Sequence, residues 1–485
     1  MYLGIDLGTS GVKLLLLDDD QHVQATADAA VPLQRPQPGW SEQHPADWLA
    51  ATEAAVAQLR AQAPAAWARV RGIGLSGHMH GAVVLGEAGQ VLRPAILWND
   101  GRASAECVQL EQAVPASRRI TGNLAMPGFT APKLLWLRAH EPGVFAQIRT
   151  VLLPKDWLRL QLTGTAVSDM SDASGTLWLD VGRRDWSDAM LHACGLTRAH
   201  MPALAEGSAA SGTLLGDVAR RWGLPSDVVI AAGAGDNAAS AVGVGARQAG
   251  QGFVSLGTSG VVFRVTDAFT PATERAVHAF AHALPQRWHH MSVMLSAASA
   301  FGWVTRLTGQ ASEAQLSEAV AALPATRQAR APLFLPYLSG ERTPHNNAAA
   351  TGVFMGLRAE HDAADLGYAV MEGVGFGLLD GLNAMGAASA NPALALVGGG
   401  ARSDVWAQLL ASALGCVLQR PRGAQAAAAL GAARLGAMAC GGGEEHWCQP
   451  LPFDATFTPQ AAQQALLAER YARFVALYPA LQSQF

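Results

Sequence analysis

The chain has 485 residues, half of them hydrophobic and only 15% charged, which indicates a globular protein of two or three domains and excludes a disordered one. A net charge of −4 argues against non-specific binding of nucleic acid. Five scattered cysteines, no basic leader and no long apolar stretch argue against a disulfide framework, a zinc site, a signal peptide and a membrane span, so we expect a cytoplasmic protein.

The first predicted element is a β-hairpin, with apolar strands over residues 2–5 and 12–17. Its turn consists of Gly8, Thr9, Ser10 and Gly11. Glycine lets the backbone approach a ligand while N–H groups and hydroxyls point inward, so this is either an ordinary hairpin turn or a phosphate-binding turn. Asp6 precedes the turn and would repel phosphates unless Mg²⁺ lay between them. It is either a turn-capping residue or a candidate Mg²⁺ ligand acting through water.

Two polar clusters follow apolar strands. The strand predicted over 70–75 leads into His78, Met79 and His80, which lack a third metal ligand at suitable spacing. These residues are either satisfied structural side chains or part of a polar pocket for a polyol. The second cluster contains Trp98, Asp100 and Arg102. It is either a plain Asn-Asp-Gly turn or a pocket in which Trp98 covers a sugar face and the other two form the rim.

A strand predicted over 228–232 ends in a glycine-rich loop that carries Asp236 and Asn237 where a helix begins. Asp236 is a helix cap, a general base aimed at a substrate hydroxyl, or both. We expect a carboxylate at a helix N-terminus to stay ionised and to be only modestly basic. Phosphoryl transfer tolerates a modest base, because its loose transition state depends mainly on positioning.

The sequence Leu7-Gly-Thr-Ser-Gly11 recurs letter for letter at residues 256–260, between strands predicted over 253–254 and 261–265. The repeat predicts two domains of common ancestry with a boundary near residues 245–251. Two facing turns could grip one polyphosphate from opposite sides, which favours phosphate binding by both. Ser255 takes the place of Asp6 in the second copy. A duplicated structural turn would not need a carboxylate in only one copy, which favours the metal role for Asp6.

A third glycine-rich turn, residues 398–400, joins a strand predicted over 394–397 to a helix predicted over 404–414, with Ser403 as N-cap. It is either a nucleotide loop or an ordinary strand–helix connection. Further amphipathic helices are predicted over 46–62, 132–140, 363–385 and 459–477. Strands alternating with helices predict the α/β class.

Together these motifs resemble the FGGY family of carbohydrate kinases, in particular its bacterial members that act on xylulose, from residue 1 to about residue 440. Residues 6–13 are similar to the first phosphate hairpin of the family, residues 255–260 to the second and residues 398–402 to its adenosine loop. Residues 352–372 and 133–140 resemble the two family signatures, with Ala139 in place of a polar residue.

The resemblance implies two related actin/hexokinase-like (ribonuclease H-like) domains flanking a catalytic cleft, over residues 1–247 and 248–440, with a helical segment, 441–485, packed on the second. It implies Asp236 as the base, Asp6 as the essential N-terminal aspartate, and Met79, His80 and Asn237 as sugar ligands. The implied ATP-binding residues are Gly8, Thr9, Ser10, Lys13, Gly257, Thr258, Ser259, Gly399, Gly400 and Ser403. The implied reaction converts D-xylulose to D-xylulose 5-phosphate with ATP and Mg²⁺, with no nucleic-acid or membrane partner and with a homodimer left open.

Two places depart from the family pattern: His78 stands where the xylulose enzymes commonly have Gln, and residues 422–426 lack an acidic residue that many relatives carry. A kinase for ribulose, gluconate or glycerol remains an alternative, as does a sugar sensor without catalysis. A sensor is disfavoured because the first phosphate strand starts at Tyr2 and both aspartates are present. An actin-like ATPase shares the fold but would not need the Met79–His80 pocket.

Overall fold

The computed structural model describes residues 1–386 and 393–485, in which two seven-stranded sheets carry helices on their faces. Strands of the first half are β1 (Tyr2–Leu7), β2 (Gly11–Leu17), β3 (Val23–Ala30), β4 (Glu42–Gln43), β5 (Gly72–Gly77), β6 (Val83–Leu85), β7 (Ala95–Ile96), β8 (Thr150–Leu152), β9 (Val167–Asp169), β10 (Leu179–Asp180), β11 (Asp185–Trp186), β12 (Ala203–Ala205), β13 (Ala210–Thr213), β14 (Val229–Ala231) and β15 (Ala234–Gly235). Its helices are α1 (Pro45–Gln62), α2 (Pro64–Trp67), α3 (Ser104–Ala113), α4 (Ser117–Thr121), α5 (Thr130–His140), α6 (Pro142–Phe145), α7 (Pro154–Thr163), α8 (Met170–Ser174), α9 (Asp188–Ala193), α10 (Gly216–Trp222) and α11 (Asp236–Val244).

The second half has a comparable set of elements. Its strands are β16 (Gly252–Leu256), β17 (Gly260–Thr266), β18 (His278–Ala281), β19 (Trp288–Met294), β20 (Leu333–Leu335), β21 (Val353–Met355), β22 (Leu394–Val397), β23 (Leu418–Pro421) and β24 (Phe453–Phe457). Its helices are α12 (Ala298–Leu307), α13 (Glu313–Ala321), α14 (Ala325–Gln328), α15 (Ala363–Ala384), α16 (Asp404–Leu414), α17 (Ala427–Ala439), α18 (Glu444–Trp447) and α19 (Ala461–Leu481). The described helices include none that is long and apolar enough to cross a membrane.

Both sheets repeat one arrangement of strands. In the first sheet, the hairpin β1–β2 is extended by antiparallel β3 beside β2, by parallel β5 beside β1 and then by parallel β14 beside β5. In the second, the hairpin β16–β17 is extended by antiparallel β19 beside β17, by parallel β22 beside β16 and then by parallel β23 beside β22. The two predicted hairpins, the α/β class and the duplication of the fold are therefore confirmed.

Side chains along β1 alternate between two hydrophobic cores, one on each face of the sheet. Leu3, Ile5 and Leu7 are 0% exposed and pack in one core with Trp48 of α1. Tyr2 points to the other face and packs in a second core with residues of α11 and α17. Successive side chains of a strand point to opposite faces of the sheet. A strand that is buried on both faces therefore needs apolar side chains on both, as in this sheet.

Helix α17 comes from the second half of the chain but lies on the first sheet and against α11. A Cβ atom added at Gly4 would lie 1.8 Å from the carbonyl oxygen of Ala429, and one at Gly74 would lie 1.8 Å from that of Ala432. No side chain fits in either gap, so glycine is required at both places. This contact joins the two halves directly behind the strand ends that carry the candidate site.

The C-terminal helix α19 packs on the second half. Arg470 forms two hydrogen bonds of 2.6 Å with the carboxylate of Glu372 in α15, and both side chains are buried. Phe474 packs beside Phe376 of the same helix. The four helices predicted from periodicity all form, with ends shifted by up to four residues. The strand predicted over 70–75 starts two residues later, at Gly72, and continues through Gly77.

Candidate active site

Three neighbouring strand ends bring the candidate catalytic residues together. Strand β5 lies between β1 and β15 and is parallel to both, with Asp6 opposite Ser76 and Ser76 opposite Ala234. Asp236 follows β15 directly. Because parallel strands end at the same edge of a sheet, Asp6 and Asp236 lie at one edge, where open α/β sheets bind their ligands.

Asp236 is the first residue of α11, and Gly235 rather than Asp236 is the N-cap, so the predicted capping role is wrong. Its Oδ1 accepts hydrogen bonds from the backbone N–H of Asn237 at 2.7 Å and from Asn237 Nδ2 at 3.0 Å. Burial, and then the negative charge of Asp6, raise the pKa of Asp236 to about 6. The expectation of a weakly basic carboxylate is therefore also wrong, because loss of solvation outweighs the field of the helix N-terminus.

Asp6 is half-buried, and its Oδ1 accepts a hydrogen bond of 3.0 Å from Ser76 Oγ. Burial raises the pKa of Asp6, while the Ser76 hydrogen bond and the charge of Lys13 act in the opposite direction. Within the described residues, Asp6 Oδ2 has no hydrogen-bond partner in the protein. A single carboxylate with a free oxygen fits a Mg²⁺ ion that keeps several waters and shares substrate phosphates.

A second acidic group lies elsewhere. Asp18, Asp20 and His22 form the one set of three potential metal ligands found close together in the described part of the chain. They follow the end of β2 that pairs with Tyr2, whereas the turn at Gly8 lies at the other end of the hairpin. This exposed group is therefore separate from the candidate site.

One cavity is lined by a residue that stands shortly before each of the two repeated turns. Asp6 and Ser255 both line a cavity of about 380 Å³, together with Asn237, Gly398 and Gly399. In the first turn Gly8 N–H donates to Gly11 O at 2.9 Å, and in the second Gly257 N–H donates to Ser259 O at 3.1 Å.

Residues from two other segments of the chain contact the second turn and the strand end before it. Thr258 O accepts a hydrogen bond from Ser299 Oγ at 2.7 Å, at the start of α12. Gly398 has φ +94°, and a Cβ atom there would lie 2.7 Å from the carbonyl of Leu256, just before the second turn. The third glycine-rich turn therefore lies directly against the strand end that leads into the second repeated turn, which only glycine allows.

A larger cavity of about 510 Å³ adjoins the first one and shares Gly399 and Arg402 with it. It is lined by Gly400, Ser403, Phe301 and Trp406, among others. Ser403 caps α16 as predicted, with its Oγ accepting from Trp406 N–H, and it also contacts Ser317 Oγ at 2.8 Å. Apolar side chains line this cavity together with several polar and charged ones, among them Glu313 and Asp404, and its volume suits a nucleoside.

Met79 lies against the Asp236 turn, and His80 follows Met79 in the chain. A Cβ atom at Gly235 would lie 2.8 Å from Met79 Cγ, so this side chain packs on the residue just before Asp236. His80 has φ +73°, and its Nδ1 lies 2.7 Å from the carbonyl oxygen of Gly175. Because a carbonyl can only accept, Nδ1 carries the proton and Nε2 is left as an acceptor for a hydroxyl. Burial lowers the pKa of His80 to about 3, which keeps the ring neutral.

The turn at residues 98–102 differs from expectation. Asp100 and Arg102 are buried and paired with each other at 2.6 Å, and the Arg102 guanidinium stacks 3.5 Å over Trp40. They do not form the rim of a pocket, because distant residues such as Trp40 draw both side chains inward. Trp98 alone stays exposed, at 39%, and its Nε1 donates a hydrogen bond of 2.9 Å to Thr9 Oγ1. Trp98 therefore contacts the first repeated turn.

The two departures from the family pattern have defined surroundings. His78 is 3% exposed and lies edge-on to Trp48 with ring centroids 5.7 Å apart, and burial lowers its pKa to about 3. In the altered segment, the carbonyl oxygen of Gln425 accepts a hydrogen bond of 3.1 Å from Lys13 Nζ. A backbone group therefore holds Lys13, and this contact does not depend on the side chain at position 425.

Sequence reasoning missed two supporting side chains. Ser76 binds Asp6, and its register opposite Asp6 could have been predicted once β1 and β5 were paired. Gln43 donates to the carbonyl oxygen of Thr9 at 2.7 Å and accepts from Trp48 Nε1 at 3.0 Å. No local pattern marks Gln43, because its partners lie in a turn and a helix on either side of it in sequence.

Comparisons with known proteins show the family of the chain. The N-terminal and C-terminal domain models of the FGGY family of carbohydrate kinases match residues 1–243 and 252–440. A xylulose kinase from Escherichia coli is 51% identical over 484 residues, and one from Klebsiella pneumoniae is 50% identical over 486 residues, each spanning 99% of both chains. A crystal structure from Brucella ovis, described as a "xyloylose kinase", superposes with a TM-score of 0.96 at 48% identity and covers 100% of both chains.

Proposed function

The chain belongs to the FGGY family of carbohydrate kinases, and from this we propose that it phosphorylates D-xylulose with ATP to give D-xylulose 5-phosphate and ADP. The high identity to two xylulose kinases over nearly the whole chain supports this substrate. The observation that carries the mechanism is that Asp6 and Ser255, one from each copy of the repeat, line the same cavity.

In this proposal ATP spans the two adjoining cavities. The adenosine takes the larger one, against Gly399, Gly400 and Ser403. The phosphates lie between the two turns, and the donors for them are Gly8, Thr9, Ser10, Lys13, Gly257, Thr258 and Ser259. Asp6 would hold Mg²⁺ through water, and the ion would supply positive charge against the phosphate oxygens.

Asp236 is the proposed general base. Its carboxylate accepts the proton of the C5 hydroxyl as that oxygen attacks the γ-phosphorus in line. The new P–O bond forms while the bond to the β-phosphate oxygen breaks, and ADP leaves with the electron pair. With its pKa raised to about 6 by burial and by Asp6, Asp236 is ionised at neutral pH yet more basic than an ordinary aspartate.

The sugar lies against Met79, His80 and Asn237, with Trp98 beside the first phosphate turn. The neutral His80 ring offers Nε2 to a hydroxyl, and the Asn237 amide is held next to the base. Closure of the two halves on sugar binding would exclude water and limit ATP hydrolysis without transfer. The homodimer and the cytoplasmic location stay predictions.

A panel assay tests this function. ADP release is followed with D-xylulose, D-ribulose, gluconate and glycerol, for the wild type and for Asp236→Asn. We expect D-xylulose to give the highest kcat/KM and the variant to lose most of the turnover. Faster turnover of glycerol or gluconate than of D-xylulose would overturn the substrate, and wild-type turnover by Asp236→Asn would remove the base.

A further inference from the structure

A cluster of charged side chains lies buried behind the Gly235–Asp236 turn and takes no direct part in the reaction described above. It consists of Lys155, Asp156, Arg159, Asp169 and Asp172, each 0% exposed. Lys155 Nζ lies 2.5 Å from Asp156 Oδ1, 2.9 Å from Asp169 Oδ1 and 3.5 Å from Asp172 Oδ2. Such a cluster is a poor source of stability, because burying several ions carries a desolvation penalty that their attraction barely offsets.

The cluster connects to the catalytic turn through one hydroxyl. The N–H of Gly235 donates a hydrogen bond of 3.1 Å to Ser171 Oγ, and Ser171 Oγ in turn donates to Asp169 Oδ2. The same Asp169 oxygen accepts from the backbone N–H of Ser171 at 2.7 Å and caps helix α8. Asp169 thereby fixes the direction of the Ser171 hydroxyl, and that hydroxyl is fixed as an acceptor for Gly235.

The aliphatic part of the Lys155 side chain packs next to the same turn. A Cβ atom at Gly77 would lie 2.9 Å from Lys155 Cβ, and one at Gly233 would lie 3.3 Å from Lys155 Cδ. Burial alone would lower the pKa of Lys155, but the neighbouring carboxylates raise it above the usual value, so the ammonium stays charged and anchors Asp169. The aliphatic part of Lys155 thus packs against the end of β5, at Gly77, and against Gly233, which precedes the strand that leads to the candidate base.

We propose that Ser171 and Asp169, anchored by Lys155, are positioning residues that hold the Asp236 carboxylate in line with the sugar hydroxyl. The proposal rests on Asp236 being the base. Asp236 itself has only Asn237 as a hydrogen-bond partner in the described structure, so its direction depends on the backbone that carries it. A base displaced by about 1 Å loses rate by up to roughly 100-fold, and a tether on the preceding residue prevents that displacement.

Ser171→Ala tests the proposal, with Ser168→Ala as the matched control. Ser168 lies in the adjacent strand β9 and is 1% exposed, and its Oγ has no hydrogen-bond partner among the described residues. We expect Ser171→Ala to lower kcat about 10- to 100-fold with the KM for ATP unchanged, because both phosphate turns stay intact. Ser168→Ala should stay within about twofold of the wild type, and Ser171→Thr, which keeps the hydroxyl, should recover most of the rate.

Two further measurements separate positioning from loss of folded protein. Calorimetric titration gives the number of ATP sites per chain, and we expect Ser171→Ala to have the same number as the wild type. The rate of each variant is then divided by its number of ATP sites. Asp169→Asn keeps a helix-capping oxygen but loses the ion pair with Lys155, and it should lower kcat in the same way. If the normalised kcat of Ser171→Ala and of Asp169→Asn equals that of Ser168→Ala, the positioning role is wrong.

Asp236→Asn in the same series keeps the two proposals apart. An inactive Asp236→Asn beside a fully active Ser171→Ala overturns the positioning role alone. A fully active Asp236→Asn overturns the base, and the positioning role falls with it.

Discussion

Asp6 and Ser255 occupy the same position in the two copies of the repeated turn, and they line one cavity from opposite halves of the chain. Only the first carries a charge. The repeat therefore presents two similar turns, with a carboxylate beside the first and the hydroxyl of Ser255 beside the second. The contact of α17 with the first sheet joins the two halves of the chain that carry these residues.

The asymmetry predicts different outcomes for the two positions. Asp6→Asn should lower kcat by about 100-fold or more, because a charged group that stabilises the transition state is lost, whereas Ser255→Ala should lower it less than about tenfold. The dependence of rate on Mg²⁺ concentration is the measurement. We expect Asp6→Asn to need more Mg²⁺ for half-maximal rate, and Asp18→Asn, at the other end of the hairpin, to behave as the wild type. An unchanged Mg²⁺ dependence in Asp6→Asn would contradict the metal role.

The pKa of Asp236 predicts the pH dependence of catalysis. Burial and the charge of Asp6 raise this pKa to about 6, and only the ionised carboxylate can accept the sugar proton. The kcat/KM for the sugar should therefore level off above about pH 6 and fall about tenfold for each pH unit below it. The profile is measured at saturating ATP and Mg²⁺. A midpoint near the ordinary aspartate value, about 4, would be at odds with a desolvated base.

The same pKa predicts that the base destabilises the folded protein. A carboxyl whose pKa is raised on folding binds protons more tightly in the folded state, so stability falls as pH rises from about 3.8 to about 6 and stays lower above that. Asp236→Asn should then raise the free energy of unfolding at pH 7.5 by up to about 3 kcal/mol. The gain should shrink as pH falls below 6. Urea unfolding at pH 7.5 and pH 4.5 measures both, and a less stable variant at pH 7.5 would refute the prediction.

The close contact between the two halves predicts that position 74 does not tolerate a residue larger than glycine. A Cβ atom there would lie 1.8 Å from the carbonyl oxygen of Ala432, a backbone atom that cannot move away by rotation. Gly74→Ala should destabilise the protein by at least about 1–3 kcal/mol, the usual range for overpacking. Thermal unfolding followed by circular dichroism checks this. Gly143→Ala is the control, since no atom would lie within 4 Å of its Cβ; equal melting temperatures of the two variants would count against the close contact.

The sequence predicts features of this fold that depend on local pattern. The repeated turn between Leu7 and Gly11 and the apolar strands on either side of it predict both hairpins, because turn composition and short apolar runs are local signals. The cap of α16 at Ser403 is equally local. The positions of two site residues follow from the same logic, since Asp6 lies one residue before the end of β1 and Asp236 comes directly after β15.

Other features depend on partners that are distant in sequence. Asp100 and Arg102 turn inward because Glu42, Ser41 and Trp40 meet them, and nothing near residue 100 indicates this. The basicity of Asp236 depends on desolvation by the folded chain, which the local helix start does not reveal. The Lys155 cluster is likewise assembled from a helix and from a strand–helix junction that lie apart in sequence.

A crystal structure with a non-hydrolysable ATP analogue, Mg²⁺ and D-xylulose tests the central claim most directly. The account predicts a triphosphate in contact with both the turn at Thr9 and the turn at Thr258, with the C5 hydroxyl about 2.6–3.2 Å from the Asp236 carboxylate. A triphosphate held by one turn alone, or a sugar whose C5 hydroxyl faces away from Asp236, would contradict it.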